Sequence, residues 1–484
     1  MGPLTMKTHE FRISQEMFDE LSAHLFPGDH DEHGAVIAAG LCRSNRGTRF
    51  LARKLFLARE GIDYVPSKYG YRALSAEFVA RVSNYCSQHK LAYFAIHCHG
   101  GHDDVAFSDV DLESHKRSYG ALLEINEGVS VGALVFATNA VAGEIWTTEG
   151  NEKLTSMVIV GMNHRRLYPQ LPRVPDALSE IYHRQSLLFG ARGQAILKGT
   201  KVGVIGMGGV GSLVSEWLSR LGVGEIIAID YDKLEPSNQS RVMGARWWDA
   251  PEFLLNSPFT FLKKFGAKLS TYKVNIGERV ARAANPSVKY QAITGSVVTE
   301  KVALQLKDTD YIFLCADSMQ SRLVFNALVH QFLIPGVQIG SKVSVDRDTG
   351  DITDIFCVAR PVLPQAGGGC LWCNQLISSS KLQEEAMSVH QLNRQQYVTD
   401  AAVSAPSVVT LNAIASAQAV NEFLFSMVGL HEDEGAAIGG RMASPRARRW
   451  SKTANTNEPT CLHCGEKAAS ALGKGDLATL PCRQ

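Results

Sequence analysis

Charge imbalance is the first thing this sequence lacks. Its 484 residues carry 49 Lys plus Arg against 48 Asp plus Glu, a formal net charge of +1, and no basic stripe stands out. A chain that holds nucleic acid concentrates cations, so no nucleic-acid partner is expected. Long apolar runs are missing as well. The most apolar stretch, GALVFATNAVAGEIW, is short and broken by Asn139 and Glu144, which predicts two strands rather than a membrane span and no membrane partner. The opening residues, MGPLTMKTHEFRIS, hold no apolar core of a secretory signal, and Met6 stands where a myristoylation signal has Ser or Thr. A cytoplasmic location is expected. In a reducing compartment the 10 cysteines serve as metal ligands or bystanders rather than disulfides. Internal repeats and low-complexity tracts are absent too.

What is present is ordinary in bulk, with 45% hydrophobic and 20% charged residues. The length suits roughly two to four domains. The stretch GMNHRRLYPQLPRVPD has three prolines and no clear periodicity, which reads as a linker. Before it, helix and strand patterns mix. After it, apolar runs such as KVGVI, EIIAID and YIFLCAD alternate with helical stretches, the mark of a parallel sheet covered by helices.

The run KVGVI leads into Gly206-Met-Gly208-Gly209-Val-Gly211 and then a helical stretch. Glycines there allow a tight turn and a close approach of backbone to phosphate, and the helix N-terminus offers free N–H groups. The next strand ends in Asp230, placed to bond a ribose. A nicotinamide dehydrogenase would show the same turn. Further features favour a nucleoside triphosphate. Asp232, Asn238 and Arg241 follow Asp230, and Lys273 stands 12 residues before Asn285-Pro286. Asp317 ends YIFLCAD, with Arg322 and Asn326 after it, and Arg184-Gln185 precedes the turn. Arg184, Arg241 and Lys273 can meet the charge of a triphosphate, and Asp317 can hold Mg2+.

The segments YHRQSLLFG, GMGGVG, DYDKLEPSNQSR and CADSMQSR, in that order, resemble the ThiF/MoeB/HesA superfamily, the core shared with ubiquitin-activating enzymes. The resemblance implies that Asp230, Asp232, Asn238, Arg241 and Lys273 contact ATP alongside Gly206, Gly208, Gly209 and Gly211, and that Asp317 holds Mg2+. It also implies that Arg184 reaches into a partner subunit's ATP site, so a homodimer is expected. One departure is the long stretch WWDAPEFLLNSPFTFLKKF between Arg241 and Lys273, which leaves Lys268 as a rival for the role of Lys273.

Cys370-Leu-Trp-Cys373 and Cys461-Leu-His-Cys464 are two CxxC knuckles. Four thiolates close a tetrahedron around Zn2+ with no place for water, so the site is structural. Thioester-forming relatives carry a nucleophilic Cys between such knuckles, and no Cys occurs from Asn374 to Thr460. Cys357 lies in the apparent strand IFCVAR and reads as core, while Cys482 is reactive or merely exposed.

Nearer the start, His97 and His99 leave the end of the apolar run LAYFAI, with Asp111 beyond. Residues i and i+2 of a strand face one side, so both imidazoles reach one ion, and a third ligand leaves the fourth position for water. Glu32 can take a proton from that water, and Ser108 can bond a developing oxyanion. The set resembles the JAMM (JAB/MPN) metalloproteases, with Gly100 in place of the usual proline; His102, Asp103, Asp104 and Asp109 are alternative ligands. The resemblance implies an α+β, cytidine-deaminase-like fold.

The expected architecture is α/β. A JAMM unit spans 1–160 and a linker 161–178. A Rossmann-like ThiF unit with a mostly parallel sheet spans 179–470, and a tail 471–484. The two resemblances imply a fusion of bacterial type. It adenylates the C-terminal glycine of a ubiquitin-like or sulfur-carrier protein and cleaves peptide or isopeptide bonds at the same kind of tail. ATP, Mg2+, a structural Zn2+ and a catalytic Zn2+ are the implied cofactors, and a Gly-Gly-ended protein and a conjugating enzyme the implied partners. The alternative is an adenylase of peptide biosynthesis or defence whose JAMM unit binds without cleaving.

Overall fold

The computed structural model describes residues 8–29, 31–65, 72–173, 179–346, 349, 351–365, 368–386, 406–432, 439–465 and 471–483. Two mixed sheets carry the chain. The first is built from β1 (Glu10–Ser14), β2 (Gly34–Ser44), β3 (Gly47–Leu57), β4 (Ala92–Cys98), β5 (Val131–Phe136), β6 (Val141–Thr147), β7 (Gly150–Lys153), β8 (Ser156–Val160) and β9 (Arg165–Leu167). Their order is β7-β6-β5-β4-β2-β3-β1-β8-β9. The stretch GALVFATNAVAGEIW becomes most of β5 and most of β6, divided at Asn139, while Glu144 lies inside β6.

β2 is buried on both faces over GAVIAAGLC, and period-two alternation sorts its side chains. Ile37 and Ala39 meet α1 (Gln15–Leu25) through Phe18, Leu21 and Leu25. Val36 and Ala38 meet α2 (Ala76–His89) through Phe78, Val82 and Cys86, spaced by four along one helix stripe. α3 (Asp109–Ile125) lies on that second face, with Tyr119 in the same cluster. β4 pairs antiparallel with β2, Gly34 opposite His97. The end of β4 that carries the histidines therefore lies beside the start of β2.

The second sheet has the order β12-β11-β10-β13-β14-β15-β16-β17. Its strands are β10 (Lys201–Ile205), β11 (Glu225–Ile229), β12 (Lys289–Ile293), β13 (Tyr311–Leu314), β14 (Gly336–Val345), β15 (Ile352–Val362), β16 (Arg441–Ser444) and β17 (Arg449–Lys452). Pairing is parallel from β12 to β14. It is antiparallel from β14 to β17, so the sheet is mixed where a mostly parallel one was expected. The cause is the hairpin of β14 and β15, which no crossover helix separates. The connections of the parallel half are helical. They run through α4 (His183–Gly199), α5 (Gly209–Leu221), the single turn α6 (Glu252–Leu255), the helix α7 (Thr260–Leu269), then α8 (Lys273–Ala284), α9 (Glu300–Ala303) and α10 (Met319–Gln331). α11 (Ser379–Ala386) and α12 (Val409–Val428) follow. α12 packs Ala415, Ala419 and Phe423 over Val202, Val204 and Phe313. No described helix is long and apolar enough to cross a membrane.

The sheets meet through buried charge. Asp310, 3% exposed, accepts from Arg12 Nη2 at 2.7 Å, from Arg46 Nη1 at 3.2 Å, from Arg49 Nη2, and from the backbone N–H of Lys201 at 2.8 Å. Glu10 binds Arg12, Arg49 and Arg166 from the other side. Residues 471–483 run through the same junction. Gly473 and Gly475 donate backbone N–H groups to His330 and Gln331 of α10, and Arg43 donates to Asp476. The strand and this segment approach so closely that a Cβ on Gly40 would come 2.0 Å from the carbonyl oxygen of Gly473.

Burial alone would raise the Glu10 carboxyl, but the guanidinium groups of Arg12, Arg49 and Arg166 hold it down at about 2 from its ordinary 4.5. A value depressed on folding stabilises above the unfolded value and is lost as pH falls through the folded one. Stability should therefore decline from about pH 4.5 toward pH 2, and Glu10→Gln should flatten that decline in pH-dependent unfolding. Asp310→Asn strands buried guanidinium groups and should cost about 3–5 kcal/mol in urea unfolding. A change near zero would show that the cluster does not bear on stability.

Candidate functional site

Two groups of chemically active side chains lie at strand ends. The first surrounds the glycine turn. β10 ends at Ile205, and Gly206 turns at φ +91°, donating its N–H to Ile229 at 2.8 Å. A Cβ on Gly211 would lie 1.8 Å from the carbonyl oxygen of Gly206, and one on Gly209 would lie 2.3 Å from Asn412 Nδ2. Gly208 differs, because a Cβ there would meet nothing within 4 Å. It caps α5 without a side-chain hydrogen bond. Three glycines thus close the turn, while the fourth keeps open the space over the positive end of a helix.

Asp230, just past β11, accepts the N–H of Met207 at 2.6 Å and that of Asp232 at 2.8 Å. Burial pushes its carboxyl up, against those donors and the charge of Lys273. Lys273 opens α8, is buried, and places Nζ 2.7 Å from Asp232 Oδ2. Lys268, its rival, lies exposed on α7. Asn238 is buried and accepts from Arg241 Nη2 at 2.6 Å. Asp317 follows β13, exposed beside the Ser318 cap of α10.

Three residues named with this set have other partners. Gln185 donates to Gln194 and Leu221, while Arg322 donates to Leu376. Asn326 accepts from Leu371 beside the cysteine knuckles. Arg184 is exposed and makes no hydrogen bond or ion pair among the described residues. Asn412, which no motif marked, lies against the turn from α12 and accepts from Ser341.

Cys370, Cys373, Cys461 and Cys464 are all buried, with their sulfurs within 4.8 Å of one another. Neighbouring sulfurs lie 3.4–3.8 Å apart, against about 3.8 Å for the edge of a tetrahedron around Zn2+ with 2.3 Å bonds. The donor set fits zinc. The neighbouring Cys464 thiol draws Cys370 down to about 4. Elsewhere, burial pushes Cys357 and Cys482 up to about 11. At neutral pH neither is a thiolate, the form that attacks.

The second group comprises His97, His99 and Asp111. The Nε2 atoms of the two histidines lie 3.1 Å apart, and each is 3.4–3.5 Å from an Asp111 oxygen. His99 Nδ1 donates to the carbonyl of Ala106 at 3.2 Å, which directs the Nε2 lone pair inward. A tetrahedron with bonds of about 2.1 Å has edges of about 3.4 Å, so this donor set also fits zinc.

Ser108 caps α3, and its hydroxyl donates to Asp111 at 2.7 Å. That hydroxyl orients the Asp111 carboxylate. Burial would raise Asp111, but bonds from His97 and Ser108 hold it well below the usual carboxylate range. Glu32 is half-buried two residues ahead of Gly34, the residue paired with His97. His102 pairs with Asp103 at 2.9 Å, and neither they nor Asp104 and Asp109 join the cluster. A cavity of about 560 Å³ opens beside His99 and is lined by Gly100, Gly101, Asp104, Ala106, Pro169 and Gln170. Behind Asp111 on α3, buried His115 meets Glu144 at 3.0 Å, a pair no sequence pattern marked.

The ThiF family pattern matches residues 182–461, more than half of the chain. Ubiquitin-like modifier-activating enzyme 5 of Xenopus laevis is 27% identical over 184 residues, 34% of this chain and 41% of that protein. The adenylyltransferase and sulfurtransferase uba4 of Pyricularia oryzae is 26% identical over 200 residues, 41% of this chain and 36% of that protein. The chain thus spans well under half the length of these relatives. Among solved structures, E. coli MccB with ATP is 18% identical, with a TM-score of 0.42 over 60% of this chain and 76% of that one.

The open and closed glycines make opposite expectations. Gly208→Ala should leave thermal unfolding nearly unchanged and weaken ATP binding in titration calorimetry, while Gly211→Ala should destabilise the fold itself, because the clash is with backbone. Metal analysis should find two zinc ions per chain. Cys461→Ser should remove one and lower the unfolding temperature, and His97→Ala should remove the other with little effect on stability.

Proposed function

The chain belongs to the ThiF family, and from that premise we propose that it adenylates the C-terminal carboxylate of a small protein with ATP. The carrying observation is the crevice at the ends of β10, β11 and β13. There Gly208 leaves space at the head of α5, Asp230 ties the turn to Asp232 and so to Lys273, and the backbone of Arg241, whose guanidinium bonds Asn238, stands against Gly209. A ligand with several phosphates answers both the helix N-terminus and the two cations.

In this reading the substrate carboxylate attacks the α-phosphorus of ATP. The bond to the β-phosphate breaks, giving an acyl adenylate and pyrophosphate. Asp230 fixes the turn and meets the ribose. Lys273 and Arg241 offset charge on the phosphates, and Asp317 would hold the Mg2+ that shields them. Arg184, without a side-chain partner among the described residues, serves the site of a second copy, which makes a homodimer the working form. The acyl group leaves without forming a thioester on this chain, since the thiols outside the knuckles are buried or raised. Substrates in this reading are ubiquitin-like or sulfur-carrier proteins, with a conjugating enzyme downstream.

The same reading makes residues 1–160 a JAMM-type metallopeptidase acting on the same kind of tail. Zinc bound by His97, His99 and Asp111 would supply Lewis acidity. Glu32 takes a proton, Ser108 keeps Asp111 in place, and the cleft beside His99, lined in part by Gly100 and Gly101, would receive the substrate chain. Joining the two sites keeps one product close to the other active centre.

Asp317→Ala should abolish ATP–pyrophosphate exchange with candidate small proteins and leave peptide cleavage intact, and Glu32→Gln should do the reverse. A folded variant of either kind that loses both activities would falsify the two-site reading. Exchange supported by a short peptide and by no small protein would move the substrate assignment to peptides.

A further inference from the structure

The segment between Arg241 and Lys273 carries an unusual surface. Along α7, Phe261, Phe265 and Leu269 are spaced by four and form one stripe, 67%, 53% and 51% exposed. The helix packs by its smallest residue instead. Gly266 is buried, and a Cβ there would come 2.8 Å from the Leu254 side chain. Lys233 Nζ holds the last carbonyls of the helix, those of Ala267 and Lys268, at 2.8 Å each. The helix is thus anchored without its apolar stripe, which faces outward. Phe253, Phe259 and Trp247 extend the apolar area, at 60–71% exposure. A patch of this size is not left on a soluble surface without a use.

The exposed charges around it are mainly positive, four cations against the single carboxylate of Glu252. Arg246, Lys263, Lys264 and Lys268 are exposed. Of the two acids in the segment, Asp249 is buried against Arg279 at 2.7 Å and Glu252 bonds Asn256. A second copy set symmetrically on this face would bring the four cations against themselves. The occupant must be apolar in the middle and anionic around it.

We propose that residues 246–269 form a docking face for an anionic lipid bilayer. The aromatic rings enter the boundary between headgroups and acyl chains, and the flanking lysines meet lipid phosphates. Such surface contact needs no spanning helix. The expectation of no membrane partner came from the length of apolar runs, which does not register an outward stripe on a short helix. The inference goes beyond the adenylation reading and does not depend on it.

The test is co-sedimentation of the full chain with phosphatidylcholine vesicles, with and without phosphatidylglycerol. Binding should require phosphatidylglycerol, weaken with salt, and fall by about tenfold or more in F261D/F265D. These side chains are exposed, so the unfolding temperature should hold. K263E/K264E/K268E should lose binding without touching the rings, which covers the case of a misfolded phenylalanine variant. Absence of sedimentation with phosphatidylglycerol vesicles overturns the proposal, as does equal binding to neutral ones. A change from dimer to monomer in F261D/F265D without vesicle binding overturns it too, and assigns the face to contact between copies.

Discussion

Asp310 is the residue on which the arrangement of the two halves depends. It lies just ahead of β13 in the second sheet, yet its carboxylate is taken mainly by Arg12, Arg46 and Arg49 of the first. A carboxylate removed from water needs several donors at good geometry to be tolerated. Here four donors converge, one of them the backbone of Lys201 at the head of β10. Such a cluster accepts one relative placement of the sheets and penalises others, because a small slide would leave a buried cation unmet. The direction of charge also matters to neighbours. His164 is held neutral by its burial and by Arg12 and Arg166 nearby, its value drawn down to about 3. It can then pair by hydrogen bond with Ser426 of α12.

From that fixed junction the two strand-end sites take their form. In each, a backbone without side chains faces the opening and the charged groups stand at its flank. Gly208 leaves space above a helix terminus, and Gly100 and Gly101 line the space beside the His99 imidazole. In each, a hydrogen bond from the protein prearranges a ligand-facing group. Asp232 holds Lys273, and the Ala106 carbonyl and Ser108 hold His99 and Asp111. Prearrangement of this kind lowers the cost of ordering charged side chains at the moment of binding.

Much of this was legible along the chain. Motifs with short-range geometry survive intact: the glycine turn, HxH on one strand, and CxxC on a single turn each fix their atoms within a few residues. The knuckle pairs were also readable, since four cysteines demand one another. What sequence could not show was reach across the fold. Asn412 stands beside Gly209 although about 200 positions separate them, and nothing local marks it. His115 and Glu144 belong to a helix and a strand that meet only after folding. Arg322 and Asn326 look like site residues by position, but they face the knuckle instead of the turn. The stripe of Phe261, Phe265 and Leu269 has the periodicity of a core helix, and periodicity does not tell which side the core is on. Gly266 decides that, through a contact seen only in three dimensions.

The passage of residues 471–483 between the sheets has a consequence in time. Arg43 bonds Asp476 across a separation of 433 residues. At a synthesis rate of about 5–20 residues per second, the first sheet emerges and waits on the order of tens of seconds for its last partner. During that interval the glycine edge at Gly40, shaped to receive a backbone, stays uncovered beside Arg12, Arg46 and Arg49, whose counter-ion Asp310 arrives earlier but still late. The first half of the chain must therefore remain soluble with an open seam and with Glu10 as the carboxylate that answers Arg12 and Arg49 until Asp310 is made. That seam cannot close before the residues around Asp476 have been made.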